Sequence, residues 1–491
     1  MLKDEAGNMA IIVSLLAVPM MMAGGAAVDY GNWVSVQARL QAATDAAALA
    51  AGREGNLSDT DLNRIAADYF HANFGAPSNA GAAQMTMTIS SSGKLRVDSE
   101  VTVENYLMKA AGSIEQTIRA SAEVSKEATG LEVALVFDNT GSMASESRLS
   151  TLKVAAKDFV EILFGPRDQA DTLKIAVVPF SQFVNVGPDK ATAQWLDTQG
   201  RAQYSNANFS DPAYHNWQGW QDLRNRSWTG CVEARPGALA TNDAAPDSST
   251  PDTLFVPAFA PDEPSLSGYY NSYIGDGSLP SNATARQRQE NQRKYRNASV
   301  SSSSKGPQVG CNIQPIQALT NLKAPVVSTI NNMRADGYTH VAEGVAWGLR
   351  VLSPGEPFTE GVPYSDEETR KVMVLLTDGE NTFDTNGLSG NINGSTYTAY
   401  GYLKQARLGS SHYVTAINQQ NQLLQDSCNN VKAQDIVVYS FAYNVYNATQ
   451  RNLIKNCASS PEKYFDPPSN AALVQSFQQI ADELRRLHLS Q

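Results

Sequence analysis

Four short, mostly apolar runs, LEVALVF, LKIAVVPF, KVMVLLT and DIVVYSF, lie between Leu131 and Phe441, with helical patterns between them. A strand that lacks polar alternation has to be covered on both faces. RLSTLKVAAKDFVEILF places Leu149, Leu152, Ala156, Phe159 and Leu163 in helical register between the first two runs. Further helical patterns fall at Val326–Met333, Val341–Leu352 and Ala416–Val431, and at Ala471–Leu487 with Leu473, Phe477, Ile480, Leu484 and Leu487 on one side. The alternation predicts the α/β class: a doubly wound, mostly parallel sheet with helices on both faces. Sheets of this kind take their ligands at the carboxyl ends of the strands.

The loops after two of these strands carry oxygen-bearing side chains. The first strand runs into Asp138-Asn139-Thr140-Gly141-Ser142, so Asp138, Thr140 and Ser142 fall at i, i+2 and i+4. The strand Lys371–Thr377 ends in Asp378-Gly379, and Gly337-Tyr338-Thr339-His340 precedes a helix. Two carboxylates and three hydroxyls at one sheet edge form an all-oxygen donor set, which suits a hard divalent cation. In this order and on this strand pattern, D-x-T-x-S, G-Y-T-H and T-D-G resemble a von Willebrand factor A domain. The resemblance implies a metal-ion-dependent adhesion site made by Asp138, Thr140, Ser142, Thr339 and Asp378, some of them acting through water. It also implies a protein ligand whose carboxylate completes the coordination. The family more often has Ser where this chain has Thr140, which offers the same oxygen. Few carboxylates and several waters favour Mg²⁺, with Ca²⁺ and Mn²⁺ as the alternatives.

Residues 188–320 interrupt the alternation and hold Trp195, Trp217, Trp220 and Trp228, four of the six tryptophans. A structureless loop of that length is uncommon in a compact domain, so the insertion is expected to fold on the sheet or as a subdomain. Its aromatics suit either a partner surface or the insertion's own core. TARQRQENQRKYRN is expected to be a solvated helix face. Asp243, Asp247, Asp252 and Asp262 read as loop acids, because the D-x-D-x-D-G spacing of a calcium loop is missing. The four cysteines allow three pairings. Their positions favour Cys231–Cys311, near the ends of the insertion, and Cys428–Cys457, bracketing a strand. No C-x-x-C is present to suggest a thiol metal site or redox pair.

Ahead of this region stands Met9–Val28, MAIIVSLLAVPMMMAGGAAV, 20 residues without a charge. At 1.5 Å per residue it is long enough to cross about 30 Å of hydrocarbon. Lys3 and the free amine precede it, so the expected orientation is N-terminus in the cytoplasm and the bulk of the chain outside. Beyond it, Trp33, Val36, Leu40, Ala43, Ala47 and Ala50 form one helical stripe, facing either a partner or its own domain. A second helix carries Leu62, Ile65, Ala66, Tyr69 and Phe70. Period-two runs follow at Met85–Ile89, Leu95–Val103 and Ile118–Val124, with a turn at Ser91–Lys94. Residues 29–128 therefore read as a pilin-like α+β unit between an anchor (1–28) and the α/β domain (129–491).

The segments GNMAIIVSLLAVPMMMAGGAAVDYG, RLQAATDAAALAA, VPFSQFVNVG, WTGCVEARPG, LFVPAFAPDEP, WGLRVLSPGEPFTEG and VLLTDGENT are similar to TadE/TadG-like proteins of bacterial tight-adherence (Flp-type) pilus systems. The resemblance implies a single-pass inner-membrane protein with a periplasmic A domain, acting in pilus assembly or attachment with other Tad proteins. The prepilin mark pairs a Gly with a Glu five residues after the cleavage point; Gly7 has no Glu at the matching position, and processing of the N-terminus stays open. Lys and Arg number 38 against 49 Asp and Glu, a net charge of −11, which argues against a nucleic-acid binder. No Ser-His-Asp order, H-E-x-x-H, P-loop or dinucleotide fingerprint is present, so a non-enzymatic binding module is expected, with no small-molecule substrate. A purely structural stalk subunit and a metal-dependent hydrolase are the alternatives.

Overall fold

The structure, a computed structural model, describes residues 5–53, 58–75, 77–89, 94–112, 115–125, 130–388 and 390–489. Most of the turn expected at Ser91–Lys94 lies outside these residues, as do the side chains of Met9–Ser14, Val18 and Leu487. The chain divides into two compact units, residues 1–129 and 130–488.

The first unit opens with one long helix, α1 (Glu5–Arg53), followed by α2 (Asp59–Asn73). Three antiparallel strands complete it: β1 (Gln84–Ile89), β2 (Lys94–Glu104) and β3 (Glu115–Ser125), in the order β1-β2-β3. The small-residue stripe of α1 packs on its own sheet and helix. Val36, Leu40, Ala43, Ala47 and Ala51 are buried with Leu62, Ala66 and Phe70 of α2 and Leu95, Val97, Val101 and Val103 of β2. The stripe closes on Ala51 rather than Ala50, and Tyr69 of α2 is exposed rather than on the apolar side. Small residues let the helix approach closely: a Cβ on Gly52 would lie 2.6 Å from Val124 Cγ1. The buried Thr44 hydroxyl is satisfied by Leu40 O at 2.7 Å and Ser99 Oγ at 2.6 Å. Asp29 accepts hydrogen bonds from the amides of Tyr106, Leu107 and Met108. Burial works against ionisation of Asp29, but these three amides hold its pKa below the usual carboxylate value. Among the described residues, no helix is long and apolar enough to cross a membrane.

The second unit runs β4 (Gly130–Asp138), α3 (Arg148–Phe164), β5 (Leu173–Phe180) and β6 (Val184–Asn185) into the insertion. The insertion contains α4 (Asn216–Asp222), β7 (Cys231–Val232) and α5 (Ala285–Gln289), and ends in β8 (Gln317–Thr320). Then come α6 (Lys323–Asn332), α7 (Val341–Leu352), β9 (Thr369–Thr377), α8 (Tyr413–Ala433), β10 (Val437–Ala442), α9 (Ala448–Cys457), β11 (Tyr464–Phe465) and α10 (Asn470–Leu489). The path across the sheet is β11-β10-β9-β4-β5-β6-β7, and β8 pairs with β5 off this path. Pairing is parallel from β5 to β11, and β8, β6 and β7 are antiparallel. With β8 taken as the neighbour of β5, the strands β8-β5-β4-β9-β10-β11 number by appearance 3-2-1-4-5-6, the doubly wound order with its third strand antiparallel.

Each face of the sheet buries its own layer. On one, Val133, Leu135 and Phe137 of β4 meet Leu152 and Phe159 of α3, Ile330 of α6 and Phe477 of α10. On the other, Ala134 and Val136 meet α7, α8, α9 and the insertion. Helix α7 lies close to the strands because it presents glycines: a Cβ on Gly344 would fall 2.4 Å from Phe180 Cδ1.

The insertion folds as an extension of this second layer. Trp195, Trp220 and Trp228 are buried and Trp217 packs against them, so the tryptophans build the core rather than a surface. The segment Thr284–Asn297 departs from a solvated face: Lys294 and Tyr295 are buried, and Lys294 pairs with the equally buried Asp262 at 2.9 Å. The other three loop acids serve local structure. Asp243 accepts from Tyr364 Oη, Asp247 from Ser249 N and Asp252 from Gln203 N. Cys231 is bonded to Cys311, and Cys428 in α8 to Cys457 in α9.

Candidate functional site

The reversal of strand order falls between the parallel neighbours β4 and β9: after β4 the chain adds β5 on one side, and after β9 it adds β10 on the other. A crevice for ligands opens at the carboxyl ends of strands at such a point. Asp138 is the last residue of β4, and Asp378 immediately follows β9. Parallel register holds the two ends level, with Phe137 opposite Leu376.

Asp138 is buried beneath the crevice. Its Oδ1 accepts from Thr140 N at 2.8 Å and its Oδ2 from Thr377 Oγ1 at 2.6 Å. The Thr140 hydroxyl lies 3.0 Å from Ser142 Oγ, which donates to Asp378 Oδ1 at 2.6 Å. Thr339 arrives on the loop before α7, where Thr382 N donates to Thr339 O at 3.0 Å. A Cβ added to Gly379 would sit 3.3 Å from Thr339 Oγ1 and 4.0 Å from Ser142 Oγ, so the absence of a side chain there leaves both hydroxyls open. Thr140, Ser142, Thr339 and Asp378 line one cleft of about 960 Å³. The five residues singled out in the sequence are thus gathered at one sheet edge.

Electrostatics mark this edge. Burial, together with the neighbouring Asp378, pushes the Asp138 carboxyl up to about 7, while hydrogen bonds from Thr140 and Thr377 oppose the shift. A positive centre near both carboxylates would relieve this cost. Among the described residues, no group of three or more His, Cys, Asp or Glu side chains is placed to hold a metal ion. Any cation here would rest on two carboxylates and hydroxyls. That donor set fits Mg²⁺, which keeps several of its waters, better than a transition metal that prefers imidazole or thiolate.

One residue absent from the motif reading completes the site. Arg148, the first residue of α3, donates from one guanidinium nitrogen to Asp378 Oδ2 at 2.9 Å and from the other to Glu146 Oε2 at 2.8 Å. Its approach depends on Glu146 and Ser147, successive non-glycine residues with φ of 51° and 59°. Left-handed backbone costs such residues on the order of 1 kcal/mol each. No sequence spacing signals Arg148, whereas Thr377 stood in the T-D-G motif itself.

His340 takes no part in the open site. It is buried against Phe383 and Tyr400, its Nε2 is 3.2 Å from Thr382 O, and burial lowers it to about 3. The cleft's far wall comes from the insertion, through Glu263, Tyr270, Asn271 and Lys305, and the exposed Tyr446 stands on the loop after β10.

Residues 7–54 match the family model described as Tad, putative Flp pilus-assembly TadE/G-like. The chain carries a TadE/G-like domain at its N-terminus. This domain covers most of α1 and includes the stripe that packs on the three-stranded sheet. No curated protein matches the chain in sequence. Among solved structures, it is similar to the vWF domain of the type V pili tip protein Mfa5 from Porphyromonas gingivalis, at 10% identity and a TM-score of 0.33, covering 73% of this chain and 95% of that one. The pilus adhesin SpaC from Lactobacillus rhamnosus GG is similar at 12% identity and a TM-score of 0.34, covering 83% of this chain and 35% of SpaC. A von Willebrand factor type A protein from Catenulispora acidiphila is similar at 10% identity and a TM-score of 0.29, covering 84% of this chain and 52% of that one. Likeness at this level carries no weight for the fold of the second unit, which rests on its strand order.

Proposed function

We propose that this pilus-associated chain is a membrane-anchored, non-enzymatic component of Flp/Tad pilus assembly or adhesion. In this reading its second unit is a von Willebrand A-type domain that binds a protein ligand through a divalent cation, Mg²⁺ in the first instance. The observation that carries the proposal is the pair of buried carboxylates, Asp138 and Asp378, at the strand-order reversal, with three hydroxyls at the same edge. Asp138, Thr140, Ser142, Thr339 and Asp378 would hold the ion, directly or through water. Its chemistry is that of a positive centre to which an acidic side chain of a partner coordinates. The chain's own part is to bury the carboxylates, orient the hydroxyls and shape the cleft.

Met9–Val28 is proposed as the anchor in a bacterial inner membrane, with the N-terminus cytoplasmic and the bulk of the chain periplasmic. In support, Leu15, Met20 and Met21 of α1 are 69–72% exposed, and side chains of this kind gain by transfer to lipid. Two disulfides suit an oxidising periplasm.

The test is Mg²⁺ titration of the full chain in detergent, followed by thermal unfolding. Binding at a hundredfold excess over Kd stabilises by about 2.7 kcal/mol. Asp138→Ala is expected to abolish that gain, and an identical response in the variant overturns the metal site. The pairing of Asp378 with Arg148 favours a second reading, in which the domain is a metal-free scaffold of the pilus machinery. Membrane pull-downs with and without EDTA separate the two, since a scaffold retains its partners in EDTA.

A further inference from the structure

Resting on the metal-site reading, we infer that Arg148 is a built-in counter-cation that competes with the divalent ion for Asp378. Both oxygens of Asp378 are already engaged by donors of the chain: Oδ1 by Ser142 Oγ at 2.6 Å and Oδ2 by Arg148 at 2.9 Å. The Asp378 side chain is fully buried and that of Arg148 is 11% exposed, so the pair is poorly screened by solvent. The guanidinium therefore neutralises one of two carboxylates that would otherwise face each other without a positive neighbour.

Arg148 is held there from two sides. Glu146 takes its second nitrogen at 2.8 Å, and the left-handed backbone at Glu146 and Ser147 turns the chain so that the first residue of α3 points back to the strand ends. Asn470 at the start of α10 pins the same turn by donating to Glu146 O at 3.2 Å. Local strain maintained by surrounding contacts is characteristic of functional loops. A cation that takes Asp378 as a ligand has to displace Arg148 or tolerate a third positive charge beside two negative ones. Either way, its affinity is lower than the donor set alone would give. Arg148 lines the same cleft as the hydroxyls, so its release places a guanidinium, a bidentate carboxylate binder, at the mouth where an acidic partner would enter.

The experiment is calorimetric titration of the full chain in detergent with Mn²⁺ and with Mg²⁺, using wild type, Arg148→Gln, Glu146→Gln and Asp378→Ala. Arg148→Gln is expected to bind at least tenfold more tightly than wild type, and Glu146→Gln to shift a smaller amount in the same direction. Asp378→Ala should lose binding. Binding in Arg148→Gln alone, abolished by adding Asp378→Ala, also supports the inference. If wild type binds through Asp378 and neither variant gains affinity, Arg148 does not compete, while the site reading stands. If no variant binds, both fall. Thermal unfolding in EDTA gives a second readout: Arg148→Gln should melt below wild type and regain more on addition of Mn²⁺. Should Arg148→Gln fail to fold, Glu146→Gln decides, because its side chain is largely exposed.

Discussion

Two regions of the second unit bury charge by different rules. In the insertion two buried carboxylates, Asp262 and Glu233, each meet a buried cation. Lys294 meets Asp262 at 2.9 Å with both side chains fully buried, and Arg407 pairs with the buried Glu233. Burial raises Asp262 and lowers Lys294, and each partner opposes the shift of the other. At the strand ends, two carboxylates share one edge, and a single guanidinium from the rim answers one of them. Matched pairs hold an insertion in place, whereas an unbalanced negative pair at a sheet crevice is poised to take a positive ligand. Under the proposed reading, the first arrangement serves architecture and the second serves binding.

Removing one partner of a matched pair should have the largest effect. Lys294→Met leaves Asp262 buried and unpaired, and is expected to cost about 3–5 kcal/mol in chemical denaturation. The divalent-cation response, scaled to the folded fraction, should be unchanged. A cost below about 1 kcal/mol would break the comparison, because the pair would then not be holding the insertion. Next comes the double substitution Cys231→Ser/Cys311→Ser, expected to cost about 2–4 kcal/mol. Because the insertion forms one wall of the cleft, its loosening should weaken partner capture more than binding of the bare metal, measured side by side. Equal losses would mean that the insertion and the strand-end site are a single structural element.

The smallest effect concerns His215, which caps α4 by accepting from Gln218 N on Nδ1 and packs against Gly200. Burial lowers its pKa from 6.5, outweighing the pull of Asp197. The unfolded chain then binds the proton more readily, so this contribution to stability is present above about pH 6.5 and is lost as pH falls. His215→Asn keeps a capping acceptor without the titration. Between pH 7 and 5 it should flatten the fall in stability by less than about 1 kcal/mol. An unchanged slope would assign the acid sensitivity elsewhere.

Long apolar or helical patterns in this chain were legible, and short or paired features were not. The pattern Arg148–Phe164 is α3 to the residue, Leu173–Phe180 is β5, and Val341–Leu352 is α7. Burial on both faces leaves such segments few alternatives. Strands β6, β7, β8 and β11 have two to four residues, too few for a period, and are defined only by the neighbours they pair with. That the five candidate residues meet at one edge could be read because each lies close to a strand end or helix start, where topology fixes position. Arg148 could not, since its reach to Asp378 follows from the backbone hand at Glu146 and Ser147, which ordinary residue types do not announce. Lys294 looked like a solvent residue within a polar run, and only its distant partner Asp262 explains its burial.

The Cys231–Cys311 bond has a consequence under load. Its cysteines are 80 positions apart in sequence, so a contour of roughly 270 Å at about 3.4 Å per residue is removed from the length available to a stretched chain. Tension entering at the two ends of the unit bypasses that stretch and crosses the sulfur bridge instead. One wall of the cleft is thereby shielded from tensile unravelling, and could keep its shape while the rest of the chain is pulled.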